Sequence, residues 1–98
     1  MEYQLVSEEE FDAAGLANWS YDAGVIRAEY VAPSYPGATA LAHRIADAAE
    51  AAAHHPDMNI RYPGKLEVIL TTHAVDDLTT LDLDLARRID DLARSSGV

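Results

Sequence analysis

The chain contains no cysteine, which removes disulfide frameworks, thiolate nucleophiles, iron–sulfur clusters and cysteine-ligated zinc together. Basic residues are scarce. Seven Lys and Arg stand against 17 Asp and Glu, a net charge of -10, and a field of that sign repels phosphate backbones and anionic lipid headgroups. Neither a nucleic-acid partner nor a membrane partner is expected. Long apolar runs are also missing: nothing approaches the ~18 to 20 apolar residues of a membrane span. The start, Met1-Glu2-Tyr3-Gln4, shows no basic stretch leading into an apolar one, so a cytoplasmic location is the expectation. No Gly-rich phosphate loop and no Ser-containing elbow is present. What remains is 98 residues, 49% apolar and 24% charged, a globular balance with room for a single domain over 1–98. Its reactive groups are histidines and carboxylates.

Local patterns set the order of elements. Ser7-Glu8-Glu9-Glu10 is a capping box, so a short helix starts near Glu8 and ends by about Gly15. Two short runs between Trp19 and Ala32 flank the turn residues Asp22-Ala23-Gly24, and Ile26, Ala28 and Tyr30 alternate with Arg27 and Glu29 as in a half-buried antiparallel strand. After Pro33 to Gly37, the Ala-rich stretch from about Ala38 to His54 places Leu41, Ile45, Ala48, Ala49 and Ala52 at helical spacing, and Pro56 ends it. A second hairpin alternates Met58, Ile60 and Tyr62 before Pro63-Gly64, then Leu66, Val68 and Leu70 after it, running into Thr71-Thr72-His73. Thr79 caps a last helix through Leu81, Leu85, Ile89 and Leu92. The order α-β-β-α-β-β-α predicts an α+β fold: a four-stranded antiparallel sheet with three helices on one face. The other face and the strand edges are left uncovered, which predicts self-association through strands.

Three histidines fall at element ends, where a scaffold presents working groups: His54 and His55 close the long helix and His73 the last strand. Glu50 lies four residues before His54, a spacing that puts both on one helix face and makes the carboxylate a candidate orienter of that imidazole. His43 reads as solvent-facing. Two plainer alternatives stand beside a catalytic reading. His54-His55-Pro56 also fits a polar helix end, and the three histidines also fit a zinc site with an open position. Thr71-Thr72 and Ser95-Ser96 have no partnered base nearby, and Asp76-Asp77 with Asp82-Asp84 read as a solvated acidic cluster.

Taken together, Glu50-x3-His54-His55-Pro56-x5-Tyr62-x10-His73-x8-Asp82 resembles the signature of the pterin-4a-carbinolamine dehydratases. The likeness covers about Ser7 to Ala93 and includes the opening Ser-Glu-Glu-Glu run and Asp82-Leu83-Asp84-Leu85-Ala86. It implies the same α+β fold and a hydro-lyase acting on a 4a-hydroxytetrahydropterin, with quinonoid dihydropterin and water as products, as in tetrahydrobiopterin recycling. It further implies catalytic His54, His55 and His73, substrate-binding or supporting roles for Glu50, Pro56, Thr71, Thr72 and Asp82, no metal or cofactor, and a homodimer or dimer of dimers. Relatives that serve as assembly or dimerisation partners imply an alternative, a non-catalytic binding module with a relic pocket. Two departures stand out. Met58 occupies a place where an aromatic residue is usual, and the interval from Tyr62 to His73 is one residue longer. Strand parity places that extra residue in the Pro63-Gly64 turn, because a slip within the strand would flip His73 to the other face.

Overall fold

Seven elements run in the expected order: α1 (Glu8–Ala13), β1 (Trp19–Asp22), β2 (Val25–Val31), α2 (Tyr35–Ala52), β3 (Asp57–Arg61), β4 (Lys65–Leu70) and α3 (Thr80–Ser95). They come from a computed structural model, in which residues 2–98 are described. The capping box opens α1: the Glu10 amide donates to the Ser7 hydroxyl at 3.1 Å, and the Ser7 amide donates to the Glu10 carboxylate at 3.0 Å. Donation to the Glu10 carboxyl from Ser7, its amide first and its hydroxyl second, holds that group below its ordinary range.

Three boundaries differ from the sequence expectation, each for a local reason. Helix α2 begins at Tyr35 rather than Ala38, because Ser34 caps it by accepting from the Gly37 amide at 3.0 Å and Pro36 falls in the first turn, where a missing amide costs nothing. It ends at Ala52 rather than His54, because Ala53 takes the left-handed conformation at φ 52° and turns the chain out of the helix. Strand β4 stops at Leu70 instead of reaching His73: Thr72 forms an isolated bridge with Asp77, and His73 lies in the turn between them. Tyr62 also leaves its strand pattern and sits 86% exposed in the β3–β4 turn.

The strands pair antiparallel in the order β1-β2-β4-β3. In the central pair, Ile26 faces Leu70, Ala28 faces Val68 and Tyr30 faces Leu66; on the flank, Met58 faces Val68 and Ile60 faces Leu66. These inward side chains form one buried cluster with Phe11 of α1, Leu41 and Ile45 of α2, and Leu85 and Ile89 of α3, so all three helices cover one sheet face. The other face mixes polar side chains with half-buried Val25 and Ile69 and exposed Val31. Arg27, Glu29 and Asn59 point outward, and Glu67 accepts from Asn59 at 3.0 Å and from Arg61 at 3.5 Å.

Long-range polar contacts tie the ends of the layers together. The Leu5–Thr79 bridge, with the Val6 amide on the Leu78 carbonyl at 2.9 Å and the Thr80 amide on the Gln4 carbonyl at 3.1 Å, fastens the N-terminal segment to the start of α3. Near the far end of α3, one oxygen of Asp90 accepts from the Tyr30 hydroxyl at 2.5 Å, the Trp19 indole at 3.1 Å and Asn18 at 3.2 Å. Burial, then the bond to Asp90, then the nearness of its charge push the Tyr30 phenol well above the ordinary tyrosine range. The β3–β4 turn is packed and not a free tip: a Cβ on Gly64 would stand 2.6 Å from the Ala32 carbonyl and 2.9 Å from that of Ser34.

Candidate active site

A cleft of about 330 Å³ opens where the α2–β3 connection meets the loop that follows β4. The first contributes Ala53, His54 and His55; the second contributes Thr71, Thr72 and His73. Both segments are shaped by short-range bonding. The left-handed Ala53 sends its amide back to the Ala49 and Glu50 carbonyls, and the His54 amide reaches the Ala49 carbonyl at 3.1 Å. After β4, the Val75 amide donates to the Thr72 carbonyl at 3.1 Å and the Asp76 amide to the His73 carbonyl at 3.2 Å, closing the turn on which His73 stands exposed.

His54 is the most enclosed of the three imidazoles, with 11% of its side chain exposed, and its Nε2 lies 2.5 Å from Oδ1 of Asp82, which is fully buried. Asp82 is therefore not part of a solvated acidic cluster. It occupies the third position of α3, where its other oxygen accepts from the Thr79 amide at 3.0 Å and the Thr72 hydroxyl at 2.8 Å. Two donors and the His54 ring converge on one carboxyl group, which offsets the desolvation that a buried polar group otherwise suffers. Asp76 and Asp84 do lie exposed, as expected of such a cluster.

The pairing of Glu50 also differs from the expectation. Because α2 ends before His54, the four-residue helical relation fails, and Glu50 instead meets Nε2 of His55 at 2.5 Å. That pair is open to water, its side chains 61% and 78% exposed, so it orients the ring more than it stabilises the fold. Thr71 lines the cleft, but its hydroxyl donates to the Gly24 carbonyl at 2.8 Å and anchors the first hairpin. Pro56 and Met58 are half-buried and do not line the cleft, Met58 packing instead against the core. His43 is exposed beside Asp47 at 3.6 Å, and Ser95 and Ser96 accept from Arg44. Among the described residues, no three His, Asp or Glu side chains are grouped to hold a metal ion.

Tyr3 and Leu81 line the cleft without having been singled out from the sequence. Leu81 sits in the first turn of α3, and Tyr3 arrives through the bridge between the N-terminal segment and Thr79, a contact that leaves no local trace. Thr79 was read only as a cap; the Thr79-x-x-Asp82 spacing of a capping box was available to mark Asp82 as a turned-in residue.

The family model for pterin 4 alpha carbinolamine dehydratase matches residues 4–92, almost the whole chain. The chain belongs to that family. Similar relatives include proteins named "Putative pterin-4-alpha-carbinolamine dehydratase" from Nocardia farcinica, 43% identical over 96 residues (96% of this chain and 100% of the relative), and from a Roseiflexus species, 43% identical over 77 residues (79% and 82%). Two solved structures share the fold. One is a transcriptional coactivator/pterin dehydratase from Brucella melitensis, with a TM-score of 0.82 at 24% identity, covering 92% of this chain and 99% of that one. The other is a pterin dehydratase-like protein identified as a RuBisCO assembly factor in the alpha-carboxysome, with a TM-score of 0.62 at 18% identity, covering 76% and 86%.

Proposed function

We propose that this protein is a 4a-hydroxytetrahydropterin dehydratase acting through its histidines. The observation that carries the reading is the convergence of His54, His55 and His73 on one cleft, the first held by a buried carboxylate. The reaction breaks the bond from the 4a carbon to its hydroxyl and removes the proton of the neighbouring ring nitrogen. A carbon–nitrogen double bond forms, and water and quinonoid dihydropterin leave. One imidazole accepts the nitrogen proton, a second protonates the departing hydroxyl, and a third anchors the flat ring. An imidazole can both take and give a proton, and each positioned transfer contributes ~10² to 10⁴ in rate. Glu50 and Asp82 support His55 and His54 through the contacts described above. The same reading gives a cytoplasmic enzyme of tetrahydropterin recycling that needs no cofactor and works as a homodimer or dimer of dimers.

The test follows the ultraviolet decay of freshly generated 4a-hydroxytetrahydropterin with wild type, His54→Ala, His55→Ala and His73→Ala, in chelator. Expected is an acceleration over the spontaneous decay that falls by ~10² or more in at least one variant. A folded wild type that gives no acceleration overturns the reading. It would favour the second one, a binding or assembly module, which the shared fold of the RuBisCO assembly factor supports.

A further inference from the structure

We propose that Thr79 and Thr72 are positioning residues: their hydroxyls set the direction of a buried hydrogen-bond chain that holds the proton of neutral His54 on Nε2 and leaves Nδ1 as the nitrogen with a free lone pair. Its catalytic consequence rests on the dehydratase reading; the proton placement does not.

The direction of the chain follows from counting donors. The Thr79 hydroxyl oxygen accepts from the Leu81 amide at 3.3 Å and lies 2.7 Å from the Thr72 hydroxyl, which in turn lies 2.8 Å from Asp82 Oδ2. Thr79 is fully buried and Thr72 nearly so, so water supplies no substitute partner. A hydroxyl has one proton to give. If Thr72 gave its proton to Thr79, the Thr79 proton would have no acceptor, and Asp82 would have to be protonated to keep its contact with Thr72. If Thr79 gives to Thr72 and Thr72 gives to Asp82, every group is satisfied, in keeping with the absence of unpaired buried side-chain polar atoms among the described residues. The second arrangement makes Oδ2 of Asp82 an acceptor twice over, because it also takes the Thr79 amide at 3.0 Å. In this assignment Oδ1 takes the hydrogen of His54 Nε2, 2.5 Å away. The choice of tautomer is thus set two hydroxyls away from the ring, at the cap of α3.

The experiment is nitrogen-15 NMR of labelled histidine at alkaline pH, where the ring is neutral, run beside kcat and KM on the carbinolamine. Thr72→Val and Thr79→Ala cut the chain at two separate points, so the outcome does not hang on one variant folding, and Thr72→Ser and Thr79→Ser restore the hydroxyls. Wild type is expected to show His54 protonated on Nε2, and each cut to raise the Nδ1-protonated form and lower kcat by about 10-fold with KM little changed, the serines recovering both. A wild-type ring protonated on Nδ1, or cut variants that keep the wild-type tautomer, overturns the proposal. If the tautomers behave as stated and wild type is inactive on carbinolamine, the hydroxyl chain stands and the dehydratase reading falls. Activity with unmoved tautomers gives the reverse.

Discussion

Asp82 meets two demands with one carboxylate: it closes the first turn of α3 from within and holds an imidazole at the edge of the cleft. Asparagine cannot meet both. An amide with its NH₂ in the place of Oδ2 confronts the Thr79 amide, and one turned the other way donates to His54 Nε2 and forces the ring into the tautomer protonated on Nδ1. Asp82→Asn is therefore expected to lower kcat by on the order of 10²-fold. Glu50→Gln, made in a pair open to water, should change it less than about threefold. Steady-state kinetics on the two variants side by side check this, and equal losses would contradict it. Tyr30 supplies a second prediction at this scale. The unfolded chain releases its phenolic proton near the ordinary value of about 10, whereas the folded protein keeps it. Stability is thus fully present below about pH 10 and lost as pH rises beyond it. Melting temperatures of wild type should fall more steeply on that alkaline limb than those of Tyr30→Phe; parallel slopes would refute the assignment. That His54, His55 and His73 face one cleft was legible, because all three lie just beyond element ends. The partners of His54 and His55 were not, since the pairings depend on where α2 stops, and one left-handed alanine decides that.

Among the elements, strands and helix faces were legible because their periods carry the burial directly: Ile26, Ala28, Tyr30, Leu66, Val68 and Leu70 are all buried as the alternation required. The junctions were not, because caps and bridges draw on residues far away in the chain. The β3–β4 turn is the clearest case. An extra residue there looks harmless in a sequence, yet Gly64 is buried against the start of α2, and the Ala32 amide donates to its carbonyl at 2.8 Å. Gly64→Ala would drive a methyl into two backbone carbonyls, which cannot rotate away as side chains do. The expected cost is about 1 to 3 kcal/mol, or a fall of roughly 4 °C or more in melting temperature for a domain of this size. A thermal melt unchanged from wild type would show that the β2–α2 junction yields. The capping box of α1 has its own pH dependence: Glu10 is held below its ordinary range, so its stabilisation is present above that range and is lost on acidification.

For the whole molecule, β1 and β3 are the sheet's outer strands, with hydrogen-bonding edges that no other strand among the described residues takes up. Sedimentation velocity on the purified protein should find a dimer or tetramer, and a monomer at micromolar concentration would contradict self-association. With a net charge of -10, contact between copies works against mutual repulsion, so the assembly should tighten as salt is added. One earlier feature bears on how such a protein is made. His54 leaves the ribosome before Asp82, which belongs to α3, and the segment that bridges to Thr79 emerges earlier still. Stretches far apart in sequence must meet before the buried pair exists. A nascent polypeptide therefore carries all three histidines before α3 supplies the carboxylate that holds one of them.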